Sequence, residues 1–292
     1  MKQFLFSVCS VLAMFGCGGD MNGLPPIWQE ENDYNSSYGY CRYNNRCEYM
    51  SVDDCYYYYG GDYYGNDNTC GSYDYPSSSS NRSSSGGSYT GSYGSVYYEG
   101  QTYKTVTIGT QTWMAENLNY APNTGTFISC NTYDCSTYGR LYDWSTAMSL
   151  PSSCNSSTCS NQVQSKHRGI CPNGWHIPSN DDWDKLFRYV DNVSGSGLYD
   201  SPTAGRYLKS TTGWNSGGNG TNQYGFSALP GGYGYSGGSF GNVGDYGYWW
   251  SANEYDDDSY YAYSRDMYYN YDRATWYSYD KSNLFSVRCV QD

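Results

Sequence analysis

Residues 169–187, GICPNGWHIPSNDDWDKLF, constrain the fold most, because they combine a cysteine, a polar turn, an aromatic strand and a helix start. Ser179 is followed three residues later by Asp182, which is the spacing of a capping box with Asp in place of the usual Glu. Behind this cap an apolar stripe at helical spacing predicts one buried face, formed by Trp183, Leu186, Phe187 and Val190. We expect this helix and the strand before it to be the hub of a C-terminal domain.

The first sixteen residues have the pattern of a bacterial lipoprotein signal. Lys2 supplies a positive charge, and residues 4–15 are apolar but too few to span a bilayer. Gly16-Cys17 resembles the end of a lipobox, in which the cysteine becomes the lipidated N-terminus. The alternative is an ordinary secretory signal with a chance cysteine. We expect an exported lipoprotein held in a membrane through Cys17, at the outer membrane or cell surface.

The chain has 12 cysteines, of which Cys9 would leave with the signal and Cys17 would carry lipid. An even number of remaining cysteines in an exported protein indicates a disulfide framework. Short spacings predict local pairing within two loops, Cys130 with Cys135 and Cys154 with Cys159. Four more allow three connectivities and are left open, namely Cys41, Cys47, Cys55 and Cys70. There is no Cys-x-x-Cys motif, and only His167 and His176 could supply imidazole, so we expect no metal site.

The overall charge is acidic, with a formal net charge of −12. Such a surface argues against nucleic acid as a partner, because nucleic acid requires a basic patch. The chain also contains 39 Tyr against 8 Phe. Tyrosine offers a flat apolar ring with a hydroxyl, which suits wet binding surfaces, and it equally fills exposed strand positions.

Changes in composition divide the rest of the chain. Residues 17–40 are predicted to be a polar tether, residues 41–75 a small Cys-rich segment, and residues 76–96 a flexible Ser/Gly linker. The main domain is predicted over residues 97–292. This arrangement would hold the last domain away from the membrane.

Local patterns in the main domain predict a hairpin, a second helix and a run of strands. Residues 103–108 and 111–114 alternate like strands around Gly109-Thr110, and residues 139–148 have helical spacing that ends before Pro151. Four strands are predicted further on, at residues 246–251, 260–268, 274–279 and 284–290. In the last of them Phe285, Val287 and Cys289 share one face, which we expect to be buried.

Six ordered motifs carry a resemblance to a known family. They are YKTVTIGTQTWMAENLNY (103–120), YGRLYDWSTAM (138–148), GICPNGWHIPSNDDWDKL (169–186), YGFSALPGGY (224–233), GYWWSANEYD (247–256) and FSVRCVQD (285–292). Together they resemble the Fibrobacter succinogenes major paralogous domain of exported bacterial proteins, over about residues 97–292.

That family is in turn similar to the C-type-lectin-like fold of formylglycine-generating enzymes. The similarity implies an α+β domain with two main helices and a twisted antiparallel sheet. It also implies a long disulfide between the strand before the hub helix and the final strand, which would pair Cys171 with Cys289.

The residues give little support for an enzyme. Formylglycine-generating enzymes depend on reactive cysteines, and no cysteine is spare once the predicted bridges are counted. We expect His176 to be a satisfied core histidine rather than a general base. Nothing in the sequence brings Glu116 and Glu254 together as a carboxylate pair. The prediction is a protein without catalysis and without a cofactor.

The predicted function is that of a membrane-anchored, surface-displayed recognition or adhesion lipoprotein, in which residues 249–256 would form an aromatic carbohydrate-binding loop. Adjacent tryptophans face opposite sides of a strand, so one of Trp249 and Trp250 is expected in the core and the other exposed. The predicted ligand-binding residues would stack on a sugar ring and form hydrogen bonds with its hydroxyls. They are Trp249, Trp250, Asn253, Glu254, Tyr233 and Tyr235. The alternative reading packs both tryptophans inside the domain. The calcium signature of sugar-binding lectins is absent. The alternative function is adhesion to a protein or a structural role in the envelope, and a divergent enzyme of the formylglycine-generating fold is the third hypothesis.

Overall fold

The structure is a computed structural model that describes residues 91–192 and 200–292 in full, together with the backbone of three strands nearer the N-terminus. The chain divides into two compact units, residues 1–85 and residues 86–292.

In the first unit the described strands form one antiparallel sheet in the order β2-β1-β3, with bounds Tyr38–Tyr43 (β1), Arg46–Ser51 (β2) and Asp62–Tyr63 (β3). The predicted lipid attachment at Cys17 lies outside the described residues. The same holds for the pairing of the cysteine side chains of this unit, Cys41, Cys47, Cys55 and Cys70.

The second unit is built on two five-stranded sheets. The first has the order β4-β5-β6-β15-β8, with bounds Tyr93–Tyr98 (β4), Gln101–Ile108 (β5), Gln111–Met114 (β6), Trp175–His176 (β8) and Val290–Gln291 (β15). The predicted hairpin is confirmed as β5 and β6, joined by Gly109-Thr110 with Gly109 at φ 61°. Strand β4 begins at Tyr93, inside the segment that composition assigned to the linker.

The second sheet has the order β13-β12-β11-β14-β7 and is antiparallel except where β11 meets β14. Its bounds are Leu141–Tyr142 (β7), Tyr246–Glu254 (β11), Tyr261–Tyr268 (β12), Ala274–Asp280 (β13) and Phe285–Ser286 (β14). A separate two-stranded ribbon is formed by Tyr233–Gly234 (β9) and Phe240–Gly241 (β10). The domain is therefore α+β, as predicted, with sheet predominating.

The last predicted strand, residues 284–290, is in fact two short strands in different sheets. Strand β14 pairs with β11 and β7, and β15 pairs with β6 and β8, so the chain crosses between the sheets at residues 287–289. The face of Phe285, Val287 and Cys289 is buried as expected. Ser286 and Arg288 on the other face are buried too, because the segment lies between both sheets.

The hub helix is confirmed at Asn180–Asp191 (α3). Ser179 accepts from the backbone N–H of Asp182, and the Asp182 carboxylate accepts from the backbone N–H of Ser179, which completes the capping box. The helix ends at Asn192, which adopts a left-handed conformation. All four residues of the predicted stripe are buried: Trp183, Leu186, Phe187 and Val190.

The helix predicted over residues 139–148 is much shorter in the structure. Residues 139–148 contain the short strand β7 followed by a single helical turn, Trp144–Ala147 (α2). Strand pairing with β14 takes Leu141 and Tyr142, and the Asp143 carboxylate then caps the turn by accepting from the N–H of Thr146 at 2.7 Å. The other described α-helices are equally short, Cys135–Tyr138 (α1) and Ala204–Leu208 (α4).

Three disulfides staple the second unit, and each was predicted. Cys130–Cys135 and Cys154–Cys159 close loops with a sequence separation of 5, and Cys171–Cys289 joins segments separated by 118 residues. The long bridge ties the segment before α3 to the end of the chain.

Candidate functional site

Both tryptophans of the predicted ligand loop are fully buried, so the expectation of one exposed indole is wrong. The Trp249 indole N–H donates to Asn117 Oδ1 at 2.9 Å, and the Trp250 indole N–H donates to the Tyr142 carbonyl at 2.8 Å. The reason is the central position of β11, whose two faces are covered by two separate hydrophobic clusters. Trp249 packs in the cluster of α3, and Trp250 packs with Trp144 and Phe285.

The following residues of the same strand do line a cavity. A cleft of about 300 Å³ lies between the end of β11 and the loop that follows the Cys154–Cys159 bridge. Its lining residues are Thr158, Ser160, Val163, Gln164, Ser165, Ala252, Asn253, Glu254, Tyr255 and Asp256. We call it the β11 cleft.

A bulge in β11 presents these residues to the cleft. Trp250 pairs with Ser264, but Glu254 pairs with Ala262, so four steps along β11 match two along β12. Bulges of this kind bend a strand and re-aim its side chains. The N–H of Ala252 in the bulge donates to the Pro178 carbonyl at 2.8 Å, just before α3.

A buried ion pair fixes one wall of the β11 cleft. Lys281 is completely buried, and its ammonium lies 2.5 Å from Glu254 Oε1. The same ammonium donates to the carbonyls of Cys154, Ser157 and Ser259 and lies 4.8 Å from the centre of the Trp144 ring. The Glu254 carboxylate also accepts from the N–H of Cys159 at 2.9 Å. Glu254 therefore binds the loop to the sheet, and its carboxylate is occupied.

Asn253, the neighbour of Glu254 on β11, connects the strand side of the cleft to the hub helix. Its Oδ1 accepts from the backbone N–H of Asn180, the first residue of α3, at 2.8 Å. An amide oxygen at this point satisfies one of the unpaired N–H groups of the helix start. The end of β11 is thus connected to the loop through Glu254 and to the start of α3 through Asn253.

Aromatic rings continue from the cleft across the second sheet. Tyr255 contacts Tyr263 edge-on with 5.5 Å between ring centroids, and Tyr263 contacts Trp276 at 5.0 Å. All three side chains are partly exposed. Tyr255 therefore gives the cleft a ring surface whose orientation is fixed by its neighbours.

Tyr233 and Tyr235, the other predicted ligand residues, lie elsewhere. Their hydroxyls hydrogen-bond each other at 3.1 Å, and the Tyr233 ring meets the Tyr248 ring edge-on at 5.7 Å. Tyr248 precedes Asn253 by five residues, which in an extended strand correspond to roughly 16 Å. The structure therefore separates the predicted ligand set into two places.

The tyrosine cluster around Tyr248 covers a buried carboxyl. Tyr279 donates to Asp266 Oδ2 at 3.2 Å, and Ser264 donates to Asp266 Oδ1 at 2.5 Å. Burial raises the pKa of Asp266 to about 7, although these two hydrogen bonds act in the opposite direction. The carboxyl is thus a core group with its partners inside the domain.

His176 is a satisfied core histidine, as predicted. Its Nδ1 lies 2.8 Å from Asp292 Oδ1, and its Nε2 lies 3.2 Å from Asp182 Oδ2. Glu116 accepts from the backbone N–H of Lys104 at 2.7 Å, whereas Glu254 binds Lys281, so the two glutamates serve different contacts. Within the described residues no group of three His, Cys, Asp or Glu side chains is arranged to hold a metal ion.

Sequence reasoning missed half of the β11 cleft. Residues 158–165 are mostly small and polar, and nothing in their order shows that they meet β11. Lys281 lies between the two last predicted strands, 274–279 and 284–290. A lysine flanked by turn residues carries no local signal of burial, because its partners are 22 to 127 residues away.

These features define a disulfide-stapled α+β domain with a preformed polar cleft at a strand end. The family model described as Fibrobacter succinogenes major domain matches residues 106–291. The chain belongs to this family. No curated protein and no solved structure gives a significant match. In the described part of the chain, every helix is too short or too polar to cross a membrane.

Proposed function

We propose that this chain is an exported recognition lipoprotein whose C-terminal domain binds a neutral carbohydrate in the β11 cleft without catalysis. The observation that carries the proposal is the cleft itself. Its lining is mostly polar, and hydrogen bonds of Asn253 and Glu254 hold its strand side in place. It also contains one tyrosine ring, Tyr255, whose orientation is fixed by Tyr263. Hydroxyl and amide side chains match the donors and acceptors of a sugar, and a tyrosine ring matches its apolar face.

The charge of the lining favours a neutral sugar. Among the described residues that line the β11 cleft, Glu254 and Asp256 are acidic and none is basic. An anionic ligand would meet Asp256 without a cation to compensate. Uncharged hydroxyls, by contrast, can donate to a carboxylate.

Binding rather than hydrolysis is favoured by the state of Glu254. Glycoside hydrolysis usually needs two carboxyl groups that flank the bond. In the β11 cleft the Glu254 carboxylate is engaged by Lys281 and the Cys159 N–H, which leaves Asp256 alone. A single free carboxylate suits hydrogen bonding better than acid–base chemistry.

The N-terminal sequence supplies the setting for this activity. Lipid on Cys17 would anchor the chain, and the polar and Ser/Gly segments would extend the domain from the membrane. The C-type-lectin-like fold is part of the same proposal, and it would make this a calcium-independent variant.

Adhesion to a protein is the second candidate, and one surface favours it. Two exposed aromatic residues lie in the β9–β10 ribbon or next to it, Tyr235 and Phe240. Exposed aromatic residues of this kind are enriched at protein interfaces.

Affinity electrophoresis of the full chain in gels that contain hydroxyethyl cellulose or xylan tests the sugar proposal. We expect retardation, and we expect Tyr255→Ala to abolish it. Tyr97→Ala is the matched control, because Tyr97 is exposed and lies outside the β11 cleft. Circular dichroism would establish that each variant is folded.

If the Tyr255→Ala variant is retarded as strongly as the unmodified chain, the sugar binds outside the β11 cleft. An absence of retardation in every neutral polymer would overturn the proposal and favour a protein partner at the β9–β10 ribbon. In that case Phe240→Ser should reduce capture of the partner, whereas Tyr255→Ala should not.

A further inference from the structure

A cavity larger than the β11 cleft lies on another side of the hub helix. It measures about 850 Å³ and runs between the β5–β6 hairpin tip and the second half of α3. Its lining residues are Ile108, Gly109, Thr110, Gln111, Lys185, Arg188, Tyr189, Asn192 and Tyr224. We call it the hairpin cavity. Its volume is in the range of small-molecule sites, and it shares no residue with the β11 cleft.

The charge of the hairpin cavity is opposite to that of the cleft. Of its nine described lining residues two are basic and none is acidic, in a chain with a formal net charge of −12. Asp184 holds the Arg188 guanidinium in place through two contacts, at 2.8 and 3.2 Å. The Arg188 charge is thus fixed in orientation and partly neutralised.

Lys185 is the cation that can reach a ligand. Its side chain is 60% exposed, and its ammonium lies 3.8 Å from Asp182 Oδ1. The other oxygen of that carboxylate, Oδ2, already accepts from the Ser179 hydroxyl and N–H and lies 3.2 Å from His176 Nε2. Because the lysine end of this pair is in solvent and the two charged atoms are 3.8 Å apart, the pair contributes little, and Lys185 can turn to an anion at small cost.

Two tyrosines form the aromatic part of the hairpin cavity. Tyr189 is 46% exposed and meets Tyr224 edge-on at 5.8 Å. The Tyr189 ring lies so close over Gly109 that a Cβ there would come within 2.7 Å of it. Glycine is therefore required under the ring, and Gly109 also adopts φ 61°. The hairpin turn and the helix together hold the ring in position.

We infer that the hairpin cavity is a second binding site, and that its ligand is an anionic sugar of the uronate type. A carboxylate on a sugar ring would accept from Lys185, with Arg188 beside it, while the ring packs on Tyr189. Asn192 supplies an amide group for the hydroxyls, and Gln111, whose Nε2 donates to the Asp182 carbonyl at 3.1 Å, supplies its amide oxygen as an acceptor. Each residue class in the lining thus has a counterpart in this ligand, and a fully neutral sugar would leave the lysine unused.

Affinity electrophoresis of the full chain in gels that contain polygalacturonate tests the inference. We expect retardation in these gels, and much weaker retardation in gels that contain fully methyl-esterified pectin, which has the same backbone without its charge. Lys185→Gln should weaken binding about tenfold, the effect of losing one charge-assisted hydrogen bond. Lys104→Gln is the matched control, since it removes the same charge from an exposed lysine outside the hairpin cavity.

The proposals for the two sites can be tested independently of each other. Tyr255→Ala should leave polygalacturonate binding intact, and Lys185→Gln should leave neutral-polymer binding intact. Equal binding by the Lys185→Gln and Lys104→Gln variants, or no retardation of the unmodified chain, would overturn the inference. Displacement by poly-glutamate as effective as displacement by oligogalacturonate would overturn it as well, because the sugar ring would then play no part.

Discussion

At the residue scale, the most consequential contact is the buried pair of Lys281 and Glu254. Two charges taken out of water are costly, and their attraction offsets that cost only when further hydrogen bonds satisfy both groups. Here three backbone carbonyls accept from Lys281, and the Cys159 N–H donates to Glu254. The pair therefore holds a loop against a sheet, which explains its position beside the β11 cleft.

Lys281→Met is expected to destabilise the domain by about 3–5 kcal/mol, because it leaves the Glu254 carboxylate buried without its cation. The free energy of unfolding from urea titration measures this. The double variant Lys281→Met with Glu254→Gln should recover part of the loss, since an uncharged amide can remain buried. A loss below about 1 kcal/mol in the single variant would mean that the pair behaves like an exposed one.

His176 makes the stability of the domain depend on pH. Burial alone would lower the pKa of His176, but hydrogen bonds with Asp182 and Asp292 outweigh it and raise that pKa. Burial likewise raises the pKa of Asp182, yet hydrogen bonds from His176 and Ser179 lower it to about 2. The His176 contribution is complete below about pH 6.5 and disappears as pH rises through the raised pKa. The Asp182 contribution is complete above about pH 4 and disappears as pH falls towards 2.

His176→Gln should therefore destabilise the chain most between about pH 4 and 6.5, with a smaller difference from the unmodified chain at alkaline pH. Urea titrations of both proteins at pH values from about 3 to 9, which include the range between these pKa values, measure the difference in the free energy of unfolding. A difference that grows above neutral pH would contradict the assignment of a charged His176 in the folded state.

At the scale of elements, α3 links the features that matter for function. Its first residue donates to Asn253 in the β11 cleft, and its second half lines the hairpin cavity. A helix of 12 residues is about 18 Å long, so the two sites lie towards opposite ends of α3. The apolar stripe of α3 packs the helix against the core through Trp183 and Phe187.

Ser179→Ala removes the cap of α3 and should cost about 1 kcal/mol, because an N–H of the first turn loses its side-chain acceptor. Urea titration of the variant measures this loss. Asp181→Ala is a suitable control, since Asp181 lies in the same turn but is exposed and acts only through the helix dipole. Its effect should be about half as large or less. Equal losses would show that charge, not the capping box, stabilises the helix start.

Local signals in the sequence were enough for some elements and not for others. The capping box and stripe of α3 and the two-residue turn of the β5–β6 hairpin involve neighbours along the chain, and both were predicted. Residues 139–148 were misassigned, because pairing of Leu141 and Tyr142 with β14, over 140 residues later, overrides their helical spacing. The burial of both Trp249 and Trp250 depends in the same way on what covers each face of β11.

At the scale of the whole molecule, the β11 cleft is formed by residues that lie far apart in the sequence. Residues 158–165 meet the end of β11 there, and Lys281 from a third segment binds Glu254. Of these, only residues of the predicted ligand loop, 249–256, were identified from the sequence. The two sheets are joined by residues 287–289, and the disulfide connects the end of this crossing, at Cys289, to Cys171 in the segment before α3. Removing that bridge therefore tests how far the assembly depends on one covalent link.

Replacing Cys171 and Cys289 together with alanine should cost about 5 kcal/mol, the chain-entropy value for a loop with a sequence separation of 118. Replacing Cys130 and Cys135 should cost only about 2 kcal/mol, since that loop has a separation of 5. Urea titration of both double variants measures the two losses. The order follows because a cross-link between distant residues removes more conformations from the unfolded chain. Equal losses would mean that the long bridge adds little beyond the packing of Arg288 and Val290 on either side of Cys289.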